Sequence, residues 1–443
     1  MKAHFSNAAY GVVDYIAWPA GMLAVAPMAL RSLGEAQFGV WMVANAALTI
    51  GSIVASGFGD ANIRSVAVAR GTGDRAGLMR AVRGTMGIHL VLGAVVALLA
   101  WMLTPIASAR IAIGGLALQQ ACLWSLRIAA LLVLVRAIET VCVSTQRAFE
   151  RYGAAVAASV VGRLLALTAG AVPLLAHRGV VAVITVGAVA IAASVAVQLW
   201  QLVRLLGLDA LRPSFDRAAT RALLGFGIFT WIQAVSGVVF AQADRLLTGV
   251  YFGAAAVASY ALCAQLAQPV YGIAASGLHF LFPYVSSRAK AGSLSEVRRP
   301  ILLTFGANLL MIAVGAGVLS VWGEQLLTKW VGAPVAQAGE SILPLLVWST
   351  AAQGLSITGA YTMLALGHVR WVTFLSLGGG AAMLTGAPFL MSRFGIEGMA
   401  LARLCYGPCM LLVYAPLAAV LWRAPRLRPE RDAAICACEE VAR

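Results

Sequence analysis

Apolar stretches, each about as long as a membrane-crossing helix, recur along the whole chain with short loops between them. Lipid offers the backbone no hydrogen-bonding partner, so a membrane-crossing segment must be a helix or a strand of a closed barrel. Continuous apolar runs, rather than alternating ones, favour helices. Charged residues make up only 11% of the 443 residues, against about a quarter in a soluble domain. We therefore predict an all-α integral membrane protein.

The positions of the basic residues predict how the chain is oriented. With the N-terminus inside, about 22 of the 32 Lys and Arg residues fall in cytoplasmic segments, about 6 fall outside, and the remaining 4 lie within spans. The positive-inside rule then places both ends in the cytoplasm, which requires an even number of spans. We predict twelve transmembrane helices, at 8–30, 39–59, 84–104, 121–142, 153–175, 180–202, 222–243, 255–280, 301–322, 341–364, 371–391 and 396–421.

The two halves of the chain resemble each other at equivalent loops. Gly34 and Gly253 are 219 residues apart, and Gly73 and Gly292 have the same separation. Two more pairs follow in the same order, 151–152 with 370–371 and Gly179 with Gly395. Six spans per repeat give two lobes of the same orientation, related by a parallel pseudo-twofold axis along the membrane normal. We predict a six-helix lobe at 1–205, a cytoplasmic linker at 206–220, a second lobe at 221–422 and a cytoplasmic tail at 423–443.

Short motifs in these loops carry a family resemblance. The chain resembles the Wzx-type oligosaccharide flippases, a polysaccharide transporter family of the multidrug/oligosaccharidyl-lipid/polysaccharide exporter superfamily. The resemblance covers nearly the whole chain, about residues 8–421. Its motifs are Leu33-Gly34, Phe38-Gly39, Gly57, Gly59, Arg64, Gly73-Asp74, Gln146 to Tyr152, Asp244-Arg245, Phe252-Gly253, Tyr260 and Gly395 to Gly398.

The resemblance implies a substrate and a location. It implies a lipid-linked oligosaccharide on an undecaprenyl-pyrophosphate-type carrier, moved from the cytoplasmic to the periplasmic leaflet of the bacterial inner membrane by alternating access. Surface polysaccharide such as O-antigen would be assembled from it. The expected partners are this substrate, membrane lipids and the polysaccharide assembly machinery, but no nucleic acid. We expect no cofactor and no metal site, with H⁺ or Na⁺ as candidate coupling ions.

The positively charged residues within the spans are candidates for binding an anionic headgroup. Guanidinium groups bind phosphate in a bidentate manner and stay charged. We therefore expect Arg127, Arg136 and Arg163 to help form a cationic cavity. The alternative for Arg136 is a structural ion pair with Glu139, three residues further along the same helix. Arg127 and Arg136 are about half a turn apart, so both cannot face one narrow cavity squarely.

Carboxylates in or near the spans are candidates for coupling and gating. Asp14, near two prolines that favour a bend, and Glu139 are the candidate coupling-ion residues. The alternative for Asp14 is a pair with a buried arginine. Asp244 and Arg245 form either a local ion pair at the end of the seventh span or a gate. Arg403 is expected to be a helix-packing or interfacial residue.

Several other functions compete with a flippase. The nearest is a cation-coupled multidrug exporter of the same superfamily, for which we expect an acidic rather than an arginine-rich cavity. A lipid II flippase is a third alternative, but that subfamily resembles a chain of fourteen helices, and this sequence has room for about twelve. A membrane polymerase or ligase needs a larger outer loop than this sequence offers, so we expect no enzyme, while a passive scaffold stays open. No lysine follows a glycine, so the sequence contains no phosphate-binding loop for ATP.

Overall fold

A computed structural model describes residues 2–423, apart from 57, 216, 279–280, 282–283 and 287–293; for some stretches, including 2–19, it describes the backbone alone. The described chain is helical and contains no strand, which confirms the predicted all-α class. A single 3₁₀ turn, Leu208–Leu211, follows the sixth helix. The helices are α1 (Lys2–Ser56), α2 (Gly59–Gly71), α3 (Arg75–Ile111), α4 (Leu116–Ala148), α5 (Tyr152–Leu175), α6 (Gly179–Leu206), α7 (Arg217–Gly277), α8 (Leu294–Val331), α9 (Ala333–Gly339), α10 (Ile342–Ala365), α11 (Val369–Leu411) and α12 (Tyr414–Arg423).

Three of the longest helices turn sharply at a glycine. Gly34 in α1 has φ 73° and ψ 168°, and Gly253 in α7 has φ 82° and ψ 174°. Gly395 in α11 has φ 59° and ψ −140°. Positive φ is costly for residues with a Cβ atom and costs glycine little, so glycine is the residue that permits these turns. Each turn coincides with a boundary predicted between two spans.

The helices agree with the predicted spans. Each of the twelve spans falls mainly within one of these helices. Within the described residues, eight helices are long and apolar enough to cross a membrane, and three of these contain a glycine turn. The number of crossings, the twofold relation and the orientation stay predictions.

The predicted linker packs against the first half of the chain. Its Ser214 donates a backbone hydrogen bond to the carbonyl of Arg83 at 2.9 Å. The Arg83 Nε atom donates in turn to the carbonyl of Arg212 at 3.1 Å. These bonds hold the linker at the beginning of α3.

The apolar packing joins the two halves at one end of the bundle. The largest core unites residues around Gly34, such as Phe38 and Val43, with Val257 and Met399 of the second half. The first half contributes to this core from three regions, around residues 22–44, 111–129 and 167–184. At the opposite end, the described residues form cores that stay within one half, namely the clusters built around Val66 and Val82, around Leu281 and Val297, and around Met363 and Val413. The halves are therefore closed at the end that carries Gly34, which we call the Gly34 end.

Candidate functional site

A cavity of about 460 Å³ lies between α1, α7, α10 and α11. Its wall is formed mostly by the second half of the chain, with Met22, Met42 and Asn45 contributed by α1. The volume falls in the range of small-molecule sites. The other polar and aromatic side chains in the wall are Phe240, Gln242, Arg245, Gln265, Gln268, Tyr271, Gln353, Ser356, Tyr361, Ser376, Arg403 and Tyr406.

The charged residues of the wall are all positive. Arg245 and Arg403 line the cavity, and no Asp or Glu is found among its described lining residues. The remaining polar groups are mainly carboxamides and hydroxyls, which both donate and accept hydrogen bonds. The wall therefore offers positive charge and neutral hydrogen-bonding groups.

A buried carboxylate lies behind the two arginines. Asp244 is completely buried, and its Oδ2 atom forms an ion pair with the Nη1 atom of Arg403. The same oxygen accepts a hydrogen bond from the Tyr260 hydroxyl at 3.2 Å. The other oxygen, Oδ1, accepts one from the backbone N–H of Arg245 at 2.7 Å. Both carboxylate oxygens are thus satisfied, as a buried charge requires.

Two glycine turns bring this cluster together. Asp244 precedes the turn at Gly253 and Tyr260 follows it, so the chain doubles back and places the hydroxyl beside the carboxylate. Arg403 follows the corresponding turn at Gly395 in α11. The cluster therefore joins helices that are far apart in the sequence.

The side chain of Arg245 hydrogen-bonds Gln242 rather than Asp244, which acts on it only through electrostatic attraction. Its Nη1 atom donates to Gln242 Oε1 at 2.9 Å, and its Nε atom is buried without a hydrogen-bond partner. Neighbouring residues on a helix do not face each other, and Arg403 is already bound to the carboxylate. Arg403 is buried and joins α11 to α7 through this carboxylate, in keeping with the helix-packing role expected of it. A gating role for Asp244 and Arg245 stays a prediction.

Arg127 lies away from the cavity. Its guanidinium carbon is 4.9 Å from the centre of the Trp101 ring and 5.2 Å from that of Trp124. Trp124 is half exposed on the outside of the bundle. The two rings stabilise the charge through cation–π contacts.

Arg136 and Arg163 belong to a polar cluster inside the first half. Arg136 forms an ion pair with the Oε2 atom of Glu139, as the structural alternative predicted. The Oε1 atom of Glu139 accepts hydrogen bonds from Ser159 at 2.9 Å and from Gln198 at 3.4 Å. Arg163 interacts electrostatically with the same carboxylate. The cluster links α4, α5 and α6, and none of these residues lines the cavity.

The first coupling candidate cannot be placed, because Asp14 lies outside the residues whose side chains the structure describes. Glu139 is described and is fully engaged by its neighbours. The substrate-binding and coupling roles of these residues stay predictions.

Sequence reasoning missed the glutamines of the wall. It considered only ionisable residues within the spans, although uncharged polar groups are costly in lipid as well. Gln265 and Gln268 interrupt an apolar run of α7, and Gln353 interrupts one of α10. This interruption is the signal that identifies them.

Comparison with known proteins places the chain in a family. Residues 8–288 match the family described as "Polysaccharide biosynthesis protein". No curated protein matches the sequence.

Solved structures share the fold at low sequence identity. An inward-facing multidrug resistance MATE family transporter of the MOP superfamily is 11% identical, with a TM-score of 0.71, and the match covers 93% of this chain and 98% of that one. The lipid II flippase MurJ, in an inward closed conformation, is 10% identical with a TM-score of 0.67, covering 94% and 86%. A MOP superfamily transporter from Pyrococcus furiosus is 14% identical with a TM-score of 0.56, covering 93% and 97%.

These matches confirm the resemblance found in the motifs. The family match extends over more than half of the chain, and the fold match extends over both halves. The chain belongs to the polysaccharide biosynthesis protein family and has the fold of the MOP superfamily transporters.

Proposed function

We propose that this protein is a flippase that moves a lipid-linked oligosaccharide from the cytoplasmic to the periplasmic leaflet of the bacterial inner membrane for surface polysaccharide assembly. The observation that carries this proposal is the charge of the cavity wall, which contains Arg245 and Arg403 and no carboxylate among its described residues. A diphosphate linkage is anionic, and guanidinium groups bind its oxygens with charge-assisted hydrogen bonds. The family match supports a substrate from polysaccharide biosynthesis.

The uncharged part of the wall suits the sugar portion. Carboxamides offer both N–H donors and carbonyl acceptors, the pattern that sugar hydroxyls need. Five such side chains line the cavity, Asn45, Gln242, Gln265, Gln268 and Gln353. The competing function, export of cationic drugs, calls for acidic groups in the same place.

The backbone angles of glycines at equivalent loops support two related lobes. Gly34 and Gly253 have nearly the same dihedral angles. Gly115, with φ 109° and ψ 166°, precedes α4, and Gly332, with φ 104° and ψ 159°, precedes α9. Such agreement at equivalent loops is expected of a parallel repeat.

We infer that the structure represents an inward-facing state. The positive-inside rule places the Gly34 end at the periplasmic side. The halves share a core at that end, whereas at the other end their described cores are separate and the contacts between halves include that of Trp231 with Val54 and Phe58. Alternating access then requires the shared core to open, with H⁺ or Na⁺ as the proposed coupling ion.

Replacing single arginines by glutamine distinguishes a flippase from a multidrug exporter. In proteoliposomes that contain a fluorescent undecaprenyl-diphosphate oligosaccharide, we expect Arg245→Gln to reduce flipping by about tenfold or more, since a hydrogen bond to a charged group contributes about 1.5–3 kcal/mol. Arg127→Gln serves as the matched control and should stay within about twofold of the wild type, because Arg127 lies outside the cavity. Equal loss in both variants would contradict the assignment of the cavity. Export of cationic dyes without flipping would favour the multidrug exporter.

A further inference from the structure

Two tryptophans of the second half donate hydrogen bonds to backbone carbonyls of α1. The Nε1 atom of Trp330, in α8, donates to the Leu23 carbonyl at 2.8 Å. The Nε1 atom of Trp231, in α7, donates to the Val54 carbonyl at 3.0 Å. Backbone carbonyls inside a helix normally accept from the N–H group four residues further on. The Leu23 carbonyl lacks that partner.

Proline explains the first acceptor. The residue four positions after Leu23 is Pro27, which has no N–H group. The Leu23 carbonyl is consequently left without its partner inside α1. In an apolar surrounding an unsatisfied carbonyl is costly, so a donor from elsewhere is strongly favoured. The indole of Trp330 supplies that donor from the other half of the chain.

The second acceptor, the Val54 carbonyl, is available because it lies at the end of a helix. Val54 lies in the last turn of α1, which ends at Ser56, and the last carbonyls of any helix lack an intrahelical partner. The contact between Trp330 and Leu23 is different, because it depends on one particular residue in the middle of a helix.

We propose that the bond from Trp330 to the Leu23 carbonyl is a catch between the two halves that stabilises closure at the Gly34 end, and that Pro27 makes the catch possible by freeing the carbonyl. Trp330 is partly buried against the core shared by both halves, and Met22 and Ala26, one and three residues from the acceptor in the sequence, belong to that core. Opening the Gly34 end separates α8 from α1 and breaks the bond. The catch therefore biases the equilibrium between the two states, whatever the substrate is.

Two substitutions remove the catch from opposite sides. Trp330→Phe keeps an aromatic ring but removes the N–H donor. Pro27→Ala restores an N–H group within α1, which hydrogen-bonds the Leu23 carbonyl and weakens its bond to Trp330 by competing for the same oxygen. Since both changes act on the same bond, their effects should overlap in the double variant rather than add.

The distance across the Gly34 end reports the state of the catch. Spin labels at Glu35 and Ala255, both exposed there, give a distance distribution in lipid nanodiscs by pulsed electron resonance. We expect each single variant to raise the ratio of long to short distances about tenfold, corresponding to about 1.4 kcal/mol, and the double variant to match the singles. The matched control is Trp348→Phe, because Trp348 is 55% exposed on the surface of the bundle; its distribution should equal that of the wild type.

Three results would overturn the proposal. One is an unchanged distribution in Trp330→Phe, another is a shift by Pro27→Ala towards shorter distances, and the third is additivity in the double variant. Thermal unfolding of each variant shows whether the fold is retained. If Trp330→Phe alone unfolds, Pro27→Ala still tests the proposal, because it leaves the indole in place.

Discussion

Replacing Gly39 by alanine is expected to open the Gly34 end and to reduce transport at least tenfold. A Cβ atom on Gly39 would lie 1.7 Å from the carbonyl oxygen of Ala254 and 2.5 Å from its carbonyl carbon. These atoms belong to the backbone of the other half, so no side chain can rotate away to relieve the clash. Overpacking of this kind costs about 1–3 kcal/mol. Separating the halves at this point removes the overlap.

The distance between labels at Glu35 and Ala255 measures this effect directly. We expect Gly39→Ala to convert most molecules to the long distance, and flipping assays to show that cycling is impaired. Gly378→Ala is the matched control, because Gly378 also lies within a helix but a Cβ there meets no atom within 4 Å. A Gly39→Ala protein with the wild-type distance distribution would mean that the contact between Gly39 and Ala254 does not close this end.

The sequence was sufficient to predict the long helices and the turns at three glycines, but not α2 and α9, which lie between the predicted spans. The lengths of the apolar runs indicated where the spans lie. Gly34, Gly253 and Gly395 lie at the predicted boundaries between spans, because a reversal of direction within so few residues requires positive φ. The separation of 217 residues between Gly115 and Gly332 is two shorter than that between Gly34 and Gly253. The separation between equivalent positions therefore varies by a few residues along the chain, and the pairing of Arg151 with Arg370 at an offset of 219 stays a prediction.

The residues that line the cavity could not be predicted from the sequence, for a geometrical reason. Which face of a helix points towards the cavity depends on how the helices pack, and nearly every face of these helices is apolar. Arg127 and Arg136 fit the charge of an anionic substrate, yet one contacts tryptophans and the other pairs with Glu139. The partner of Asp244 is 159 residues away in the chain. Only the turn at Gly395 brings Arg403 to it.

Removing one partner of the buried pair should be the most destabilising change in the second half. We expect Arg403→Met to lower the free energy of unfolding by about 3–5 kcal/mol, the usual cost of leaving a buried charge unpaired. Asp244 has no exposed surface through which water could replace the guanidinium. Its remaining donors, the Tyr260 hydroxyl and the Arg245 backbone, cannot neutralise the charge. Thermal unfolding in detergent, together with protein levels in membranes, measures the loss.

A second substitution separates charge from packing. Asp244→Asn combined with Arg403→Met removes both charges and keeps an oxygen for the hydroxyl of Tyr260, so most of the stability should return, as it does when a buried ion pair is replaced as a unit. Arg245→Gln provides the comparison, because its side chain is not bound to Asp244 and should change stability little. A double variant as unstable as Arg403→Met would show that Arg403 acts through its packing. If stability does return while flipping stays lost, the pair is dispensable for the fold, and the Arg403 guanidinium acts on the substrate from the cavity wall. Net charge cannot explain such a loss, because the double variant keeps Arg245 and therefore the same single net positive charge as the wild-type group of Arg245, Arg403 and Asp244.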